Sequence, residues 1–169
     1  MKPSNFWGVL LLFALPGAPQ EAPAPQTPAQ RIVIDGSKEP HRIPDLVAWR
    51  MLFKALAGGP NRFPEEVRRR YLDGSELSEL QIDRVMLAAR RVSLRVREME
   101  LEVKKQPLSM EEKTATLRAR RDAIIQDVVR DLLIQELSTE ATQKLLDYLN
   151  QEVKSAIRIA RPSGGSPAR

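Results

Sequence analysis

The chain contains no cysteine and a single histidine, His41. Without cysteine no disulfide can form, and zinc and iron–sulfur sites lose their usual ligands. One histidine also rules out any metal site built from several imidazoles. We therefore predict a protein without a metal or other cofactor, in which packing alone stabilises the fold.

Aromatic residues make up only 5 % of the chain, against 42 % for all hydrophobic residues, so we expect a mainly aliphatic core. The formal net charge is +5, and arginines cluster at 68–70 and 90–91. Aromatic side chains that could stack on bases do not alternate with these clusters. The clusters are typical of solvated helix faces, and we predict no nucleic-acid partner.

A catalytic site is also missing from the sequence. A triad would have to use His41 with Ser37 or Asp35 nearby, in a stretch without the strand-turn-helix context that such a nucleophile needs. The chain has no glycine-rich phosphate loop. Adjacent carboxylates, as at 65–66 and 111–112, fall in first helical turns, where they interact favourably with the helix dipole. We predict that the protein is not an enzyme.

The N-terminus has the layout of a secretory signal peptide. Lys2 precedes the uncharged run FWGVLLLFAL at 6–15, which is about half of the roughly 20 apolar residues that a spanning helix needs. We predict a signal peptide over 1–18 and a secreted or periplasmic protein. If the segment is retained, the membrane becomes a partner through this segment alone.

Composition divides the remaining chain into three parts. Residues 19–30 are rich in proline and alanine and predict a disordered linker. Residues 31–161 predict a single helical domain, and 162–169 predict a disordered tail. At the start of the domain, the apolar stretch 32–34 precedes an Asp-Gly turn signal. We found no second strand to pair with it, so we expect it to lie along the helices as an unpaired strap.

The fold class predicted is all-α: a small bundle with three long helices, at about 78–105, 109–136 and 139–160, and two shorter helices at about 44–57 and 64–72. Ser78, Ser109 and Ser138 precede the long helices as N-caps, and Gln81 and Glu112 complete capping boxes for the first two. The junction before Ser138 lacks glycine and proline, so both a turn and a kinked continuous helix remain open.

The helix at 78–105 carries two apolar faces. The first follows the alternating steps of three and four that are typical of a coiled-coil core: Ile82, Val85, Ala89, Val92, Val96, Met99 and Val103. The second recurs every seven residues, nearly opposite, and we call it the leucine row: Leu80, Leu87, Leu94 and Leu101. Either the helix lies in the middle of a bundle, or the leucine row is left for a partner.

Basic residues lie beside the leucine row on the helix surface: Arg84, Arg90, Arg91 and Arg97. Together with the four leucines they are the candidate partner-binding residues. The partners that such a surface predicts are other proteins or a second copy of the chain in a homodimer.

Leu77-Ser78-Glu79-Leu80-Gln81 resembles the LTxxQ motif of the Spy-type periplasmic chaperones and envelope-stress sensors. The stretch 108–112 is similar to a second copy, with Glu112 in place of the glutamine. Serine replaces threonine in both copies. The resemblance implies a small exported helical protein that binds unfolded clients through apolar and basic surface. The chain is also similar to uncharacterised exported bacterial helical proteins, which implies no particular activity.

Overall fold

The computed structural model describes residues 32–57 and 63–161, and the predicted signal peptide, linker and tail lie outside them. The elements in chain order are β1 (Ile32–Asp35), α1 (Asp45–Leu56), α2 (Glu65–Arg69), α3 (Glu79–Lys105), α4 (Met110–Asp131), α5 (Thr139–Tyr148) and β2 (Arg158–Arg161). A 3-10 turn, Pro40–Arg42, precedes α1, and another, Arg70–Ser75, follows α2. The first π-helical segment, Leu132–Glu136, extends α4, and the second, Leu149–Val153, extends α5. The prediction of a mainly helical bundle is confirmed.

Helix α1 lies at the centre of the bundle. It contacts α2, α3, α4 and the second π-helical segment. Its buried residues lie within an arc of about 140° on one side of the helix: Ala48, Trp49, Leu52, Phe53 and Leu56. Met51 and Lys54 are exposed on the opposite side.

Serine caps begin the three longer helices, as predicted. The backbone N–H of Ser78 donates to the Gln81 side chain, 2.8 Å away. The Glu112 amide donates to the Ser109 hydroxyl at 3.2 Å, and the Glu112 carboxylate accepts from the Ser109 amide at 2.9 Å. The Ser138 hydroxyl accepts from the Ala141 amide at 3.2 Å without a returning side chain. The Ser109 and Ser138 hydroxyls thus each accept from a backbone amide that the first helical turn leaves without a partner.

The connection between α4 and α5 is a turn rather than a kinked continuous helix. Leu137 is extended, with φ −107° and ψ 150°, and Ser138 is extended as well, with φ −70° and ψ 161°. Buried Leu137 anchors the turn in the core. The predicted helix at 109–136 therefore corresponds to α4 and the first π-helical segment together.

The end of the chain corrects two predictions. The strap at 32–35 is strand β1, and it pairs antiparallel with β2, with Ile34 opposite Ile159. The helix predicted to reach 160 ends earlier: α5 stops at Tyr148 and its π-helical extension at Val153. From Ile157 onwards apolar and polar residues alternate, and this places Ile157 and Ile159 on the inner side. The helical spacing of earlier apolar residues masked that short alternation.

The short second helix also differs from its prediction. The sequence predicted one helix over 64–72, whereas the chain forms α2 and then a 3-10 turn from Arg70 to Ser75. Glu76 follows with a left-handed backbone, φ 54° and ψ 22°, which redirects the chain into α3. Leu72 is buried and fixes this turn against the core. Ion pairs from Arg69 to Glu79 and Asp83 then connect α2 with α3.

Gly36 permits the close approach of β1 to the chain end. A Cβ atom at this position would lie 2.8 Å from the Ile157 carbonyl oxygen and overlap the Lys154 carbonyl oxygen. Both neighbours are backbone atoms and cannot rotate away. We expect Gly36→Ala to lower the free energy of unfolding by about 2 kcal/mol or more.

The matched control is Gly74→Ala, because a Cβ there would meet the Tyr148 ring at an ordinary 3.6 Å. Urea denaturation followed by circular dichroism measures both variants. Equal stability of the two variants would contradict the close packing of Gly36.

The capping box of α4 predicts a pH-dependent stability. Hydrogen bonds from the Ser109 hydroxyl and then from its amide hold the pKa of Glu112 below its ordinary value. A carboxyl whose pKa is lowered by folding stabilises the fold above its unfolded pKa, and this contribution disappears as the pH falls through the folded pKa. We therefore expect Ser109→Ala to destabilise the protein more at pH 7 than at about pH 3.

Ser138→Ala is the control, because the Ser138 hydroxyl accepts from an amide and binds no carboxyl group. Its cost should be the same at both pH values. Urea denaturation at each pH gives the comparison, and a cost of Ser109→Ala that does not change with pH would contradict the assignment.

Candidate functional site

The leucine row of α3 lies on the surface. Leu80 is 62 % exposed, Leu87 53 %, Leu94 61 % and Leu101 51 %. The first of the two alternatives, a middle helix whose leucines pack inside the chain, is therefore wrong. An apolar strip about 32 Å long, the rise of 21 helical residues, faces solvent.

Packing on the other side of α3 accounts for this exposure. The stripe that was predicted as core is buried, with Val96 partly buried at its middle. Helices α1 and α4 both pack against α3. The buried stripe lies under these contacts, and the leucine row is left exposed on the far side of the helix.

Charged residues accompany each leucine at two fixed spacings. Three positions after each leucine there is a column of Asp83, Arg90, Arg97 and Lys104. Four positions after each leucine there is a second column of Arg84, Arg91, Glu98 and Lys105. Since residues three and four apart are neighbours on a helix, the two columns border the leucine row on its two sides.

The arginines at the N-terminal end and in the middle of the row hold other parts of the chain. Arg90 pairs with Glu65 of α2 at 2.5 Å, and Arg91 pairs with Glu136 at the end of the first π-helical segment. Arg84 donates to the backbone carbonyl of the same Glu136. Carboxylates of the same chain therefore balance the charges of Arg90 and Arg91. The charge of Arg84 is not balanced in this way, because its partner is a neutral carbonyl group.

Arg97 and Glu98 differ from these arginines. Both are exposed, and within 32–57 and 63–161 neither forms an ion pair or a side-chain hydrogen bond. They border the row between Leu94 and Leu101. The sequence named Arg97 as a candidate and missed Glu98, although its spacing of four from Leu94 was visible.

A second apolar surface lies between α1 and α2. Met51, Phe63 and Tyr71 are exposed, and they line an open cleft of about 550 Å³ together with Arg68. The Arg68 guanidinium donates to the carbonyl of Phe63 at 3.2 Å and is thus held at the edge of the cleft. The eight-residue spacing of Phe63 and Tyr71, about two helical turns, was the sequence signal that could have identified this surface.

The residues considered for a triad do not form one. Asp35 accepts from both the hydroxyl and the amide of Ser37, at 2.7 and 3.1 Å. These hydrogen bonds lower the pKa of Asp35 and make a local turn. His41 is exposed in the neighbouring 3-10 turn. In the described parts of the chain no three histidine or carboxylate groups converge on a common point where a metal ion could bind.

No helix between Ile32 and Arg161, with 58–62 left aside, is both long enough and apolar enough to cross a bilayer.

No protein-family model, curated protein or solved structure matches the chain.

Two residues of α3 distinguish the buried face from the leucine row. Val92 is 7 % exposed, and Val92→Asp places a carboxylate in the core, so we expect a loss of roughly 3 kcal/mol or more of unfolding free energy. Leu94→Asp makes the same charge change on the exposed face and should cost less than about 1 kcal/mol.

Circular dichroism during urea denaturation, at low protein concentration, measures both changes. An unfolded Leu94→Asp variant would show that the row packs within the chain.

Proposed function

We propose that this chain is an exported, non-enzymatic protein that binds or scaffolds other proteins through the leucine row of α3. The observation that carries the proposal is the exposure of all four leucines at heptad spacing on one side of α3. Single exposed leucines are common on protein surfaces, but an aligned row of four is typical of an interaction site. The row has the length and spacing to receive an amphipathic helix.

The exported location in this proposal rests on the sequence of 1–18. The alternative is a membrane-tethered bundle, if the apolar run at 6–15 is retained. N-terminal sequencing of the protein from the exported fraction and from the membrane pellet distinguishes the two.

A binding experiment tests the role of the leucine row. The protein is immobilised and exposed to the exported fraction of the cells that produce it. We expect proteins to be retained by the wild-type chain and lost at least tenfold with Leu87→Ser/Leu94→Ser, because the apolar strip is interrupted at its centre.

The control is Met110→Ser/Ile134→Ser, which removes two exposed apolar side chains outside the row. Retention that falls equally in both double variants, or in neither, would contradict a specific role of the row.

A second candidate function is that of a Spy-type chaperone, in keeping with the sequence resemblance at 77–81. It is favoured by the cations beside the row that no carboxylate neutralises, Arg84 and Arg97 among them. An unfolded client could contact leucines and cations together. Such binding should weaken with added salt, because exposed charges are screened within about 8 Å at physiological ionic strength.

The chaperone candidate predicts that a stoichiometric amount of the protein slows the aggregation of a reduced, unfolding client without ATP. Light scattering at low and at physiological salt measures the effect. Leu87→Ser/Leu94→Ser should abolish it and Met110→Ser/Ile134→Ser should not. Undiminished aggregation at low salt would leave the binding of folded partners as the function of the row.

A further inference from the structure

We infer that the partner of the leucine row is a second copy of the chain, bound antiparallel across a two-fold axis between Leu87 and Leu94. This inference rests on the proposed function, because it names the occupant of the same surface. In this arrangement Leu87 faces Leu94 of the second copy, and Leu80 faces Leu101. All four leucines are covered by the same four residues of the other copy, as a two-fold interface requires.

The charges beside the row favour this arrangement. When two helices meet antiparallel across a two-fold axis, the same column of each helix lies on the same side. In the first column Asp83 meets Arg97 of the second copy, and in the second column Arg84 meets Glu98. Each pair is level to within one residue, about 1.5 Å along the axis, and each occurs twice. Glu98 thereby obtains the opposite charge that it lacks within the chain, whereas Arg97 approaches an Asp83 that Arg69 of its own chain already pairs with.

The like charges near the axis are already neutralised. Arg90 and Arg91 each meet their own counterpart there, which would oppose association if they were free. Glu65 pairs with Arg90 and Glu136 with Arg91 in the same chain, so two ion pairs meet instead of two bare cations. The intramolecular contacts thus remove the one unfavourable feature of the arrangement.

A parallel arrangement would place the first column of one helix against the second column of the other. Arg97 would then lie beside Glu98 of the second copy, but Lys104 would lie beside Lys105 on both sides of the seam. Like charges at such positions oppose a coiled-coil pair. Reversing one helix keeps the two lysine-bearing ends apart, and this favours the antiparallel orientation.

The contact is short, a strip about 32 Å long on a helix about 10 Å wide. Interfaces that bury less than about 1,200 Å² in total are usually weak. We expect a reversible dimer with a dissociation constant in roughly the micromolar range. Sedimentation velocity of the chain lacking the signal segment should show monomer at low and dimer at high concentration.

Charge variants test the pairing. Arg84→Glu should weaken the dimer at least tenfold, because it places a second carboxylate against Glu98 of the other copy. Arg118→Glu makes the same charge change on α4, away from the row, and should have no effect. Arg84→Glu and Glu98→Arg should each weaken the dimer, and their combination should restore it, since the exchanged charges again meet opposite partners.

Cysteine cross-linking tests the orientation. The chain has no cysteine of its own, so only the introduced thiols can form a disulfide. Leu87→Cys and Leu94→Cys should each remain uncrosslinked alone and form a mixed disulfide when combined, which mass spectrometry identifies. Rapid disulfide formation by either variant alone would overturn the antiparallel arrangement. A monomer at all concentrations would overturn the inference. The proposed function would survive this result if Leu87→Ser/Leu94→Ser still abolished the retention of other proteins.

Discussion

The packing of α1 against α3 and α4 is the contact on which the rest of the structure depends. The chain has no disulfide, so this core alone opposes the conformational entropy of unfolding. Two of the chain's few aromatic residues belong to this core: the ring centroids of Trp49 and Phe53 in α1 lie 5.4 Å apart. Helices α1 and α4 both pack against α3, and the leucine row on the side of α3 opposite its buried residues lies outside the core.

Ion pairs then orient the neighbours of α3 without covering the leucine row. Arg69 pairs with Glu79 and Asp83, and Arg90 with Glu65, which hold α2 beside the N-terminal half of the helix. Arg121 pairs with Glu100 and Arg120 with Glu102, and these pairs connect α4 with the C-terminal half of the helix. Such exposed pairs contribute little stability one at a time. These pairs fix the positions of α2 and α4 beside α3, and they leave the leucine row exposed between charged residues.

The sequence was sufficient for much of the fold because its signals are local. Serine caps and helical spacing are read within a few residues, and they located the three longer helix starts correctly. Strand β2 was missed because its pairing with β1 spans more than a hundred residues, and Gly36 shows its importance only through the distant Lys154 and Ile157. The turn at Leu137 could not be distinguished from a kink without the tertiary position that buries that leucine.

The sequence identified the leucine row of the candidate site, but it could not show that the row is exposed or which arginines have partners. The heptad spacing identified the leucine row, but spacing cannot tell a buried face from a solvent face when a helix has two. The roles of the arginines depended entirely on tertiary partners: the sequence grouped Arg84, Arg90, Arg91 and Arg97 as one basic surface. The structure divides them, because Glu65 and Glu136 arrive from α2 and from the first π-helical segment.

That division decides how the surface should be understood. Were it a general basic surface, every arginine beside the row would be available to a client. Instead, the two at the middle of the row are neutralised in the chain, and uncompensated charges of both signs remain near its ends. Arg84 lies four residues after Leu80, and Glu98 lies four residues after Leu94. A surface with opposite charges at nearly equal distances from its centre is complementary to itself when reversed, and this symmetry is the basis of the proposed dimer.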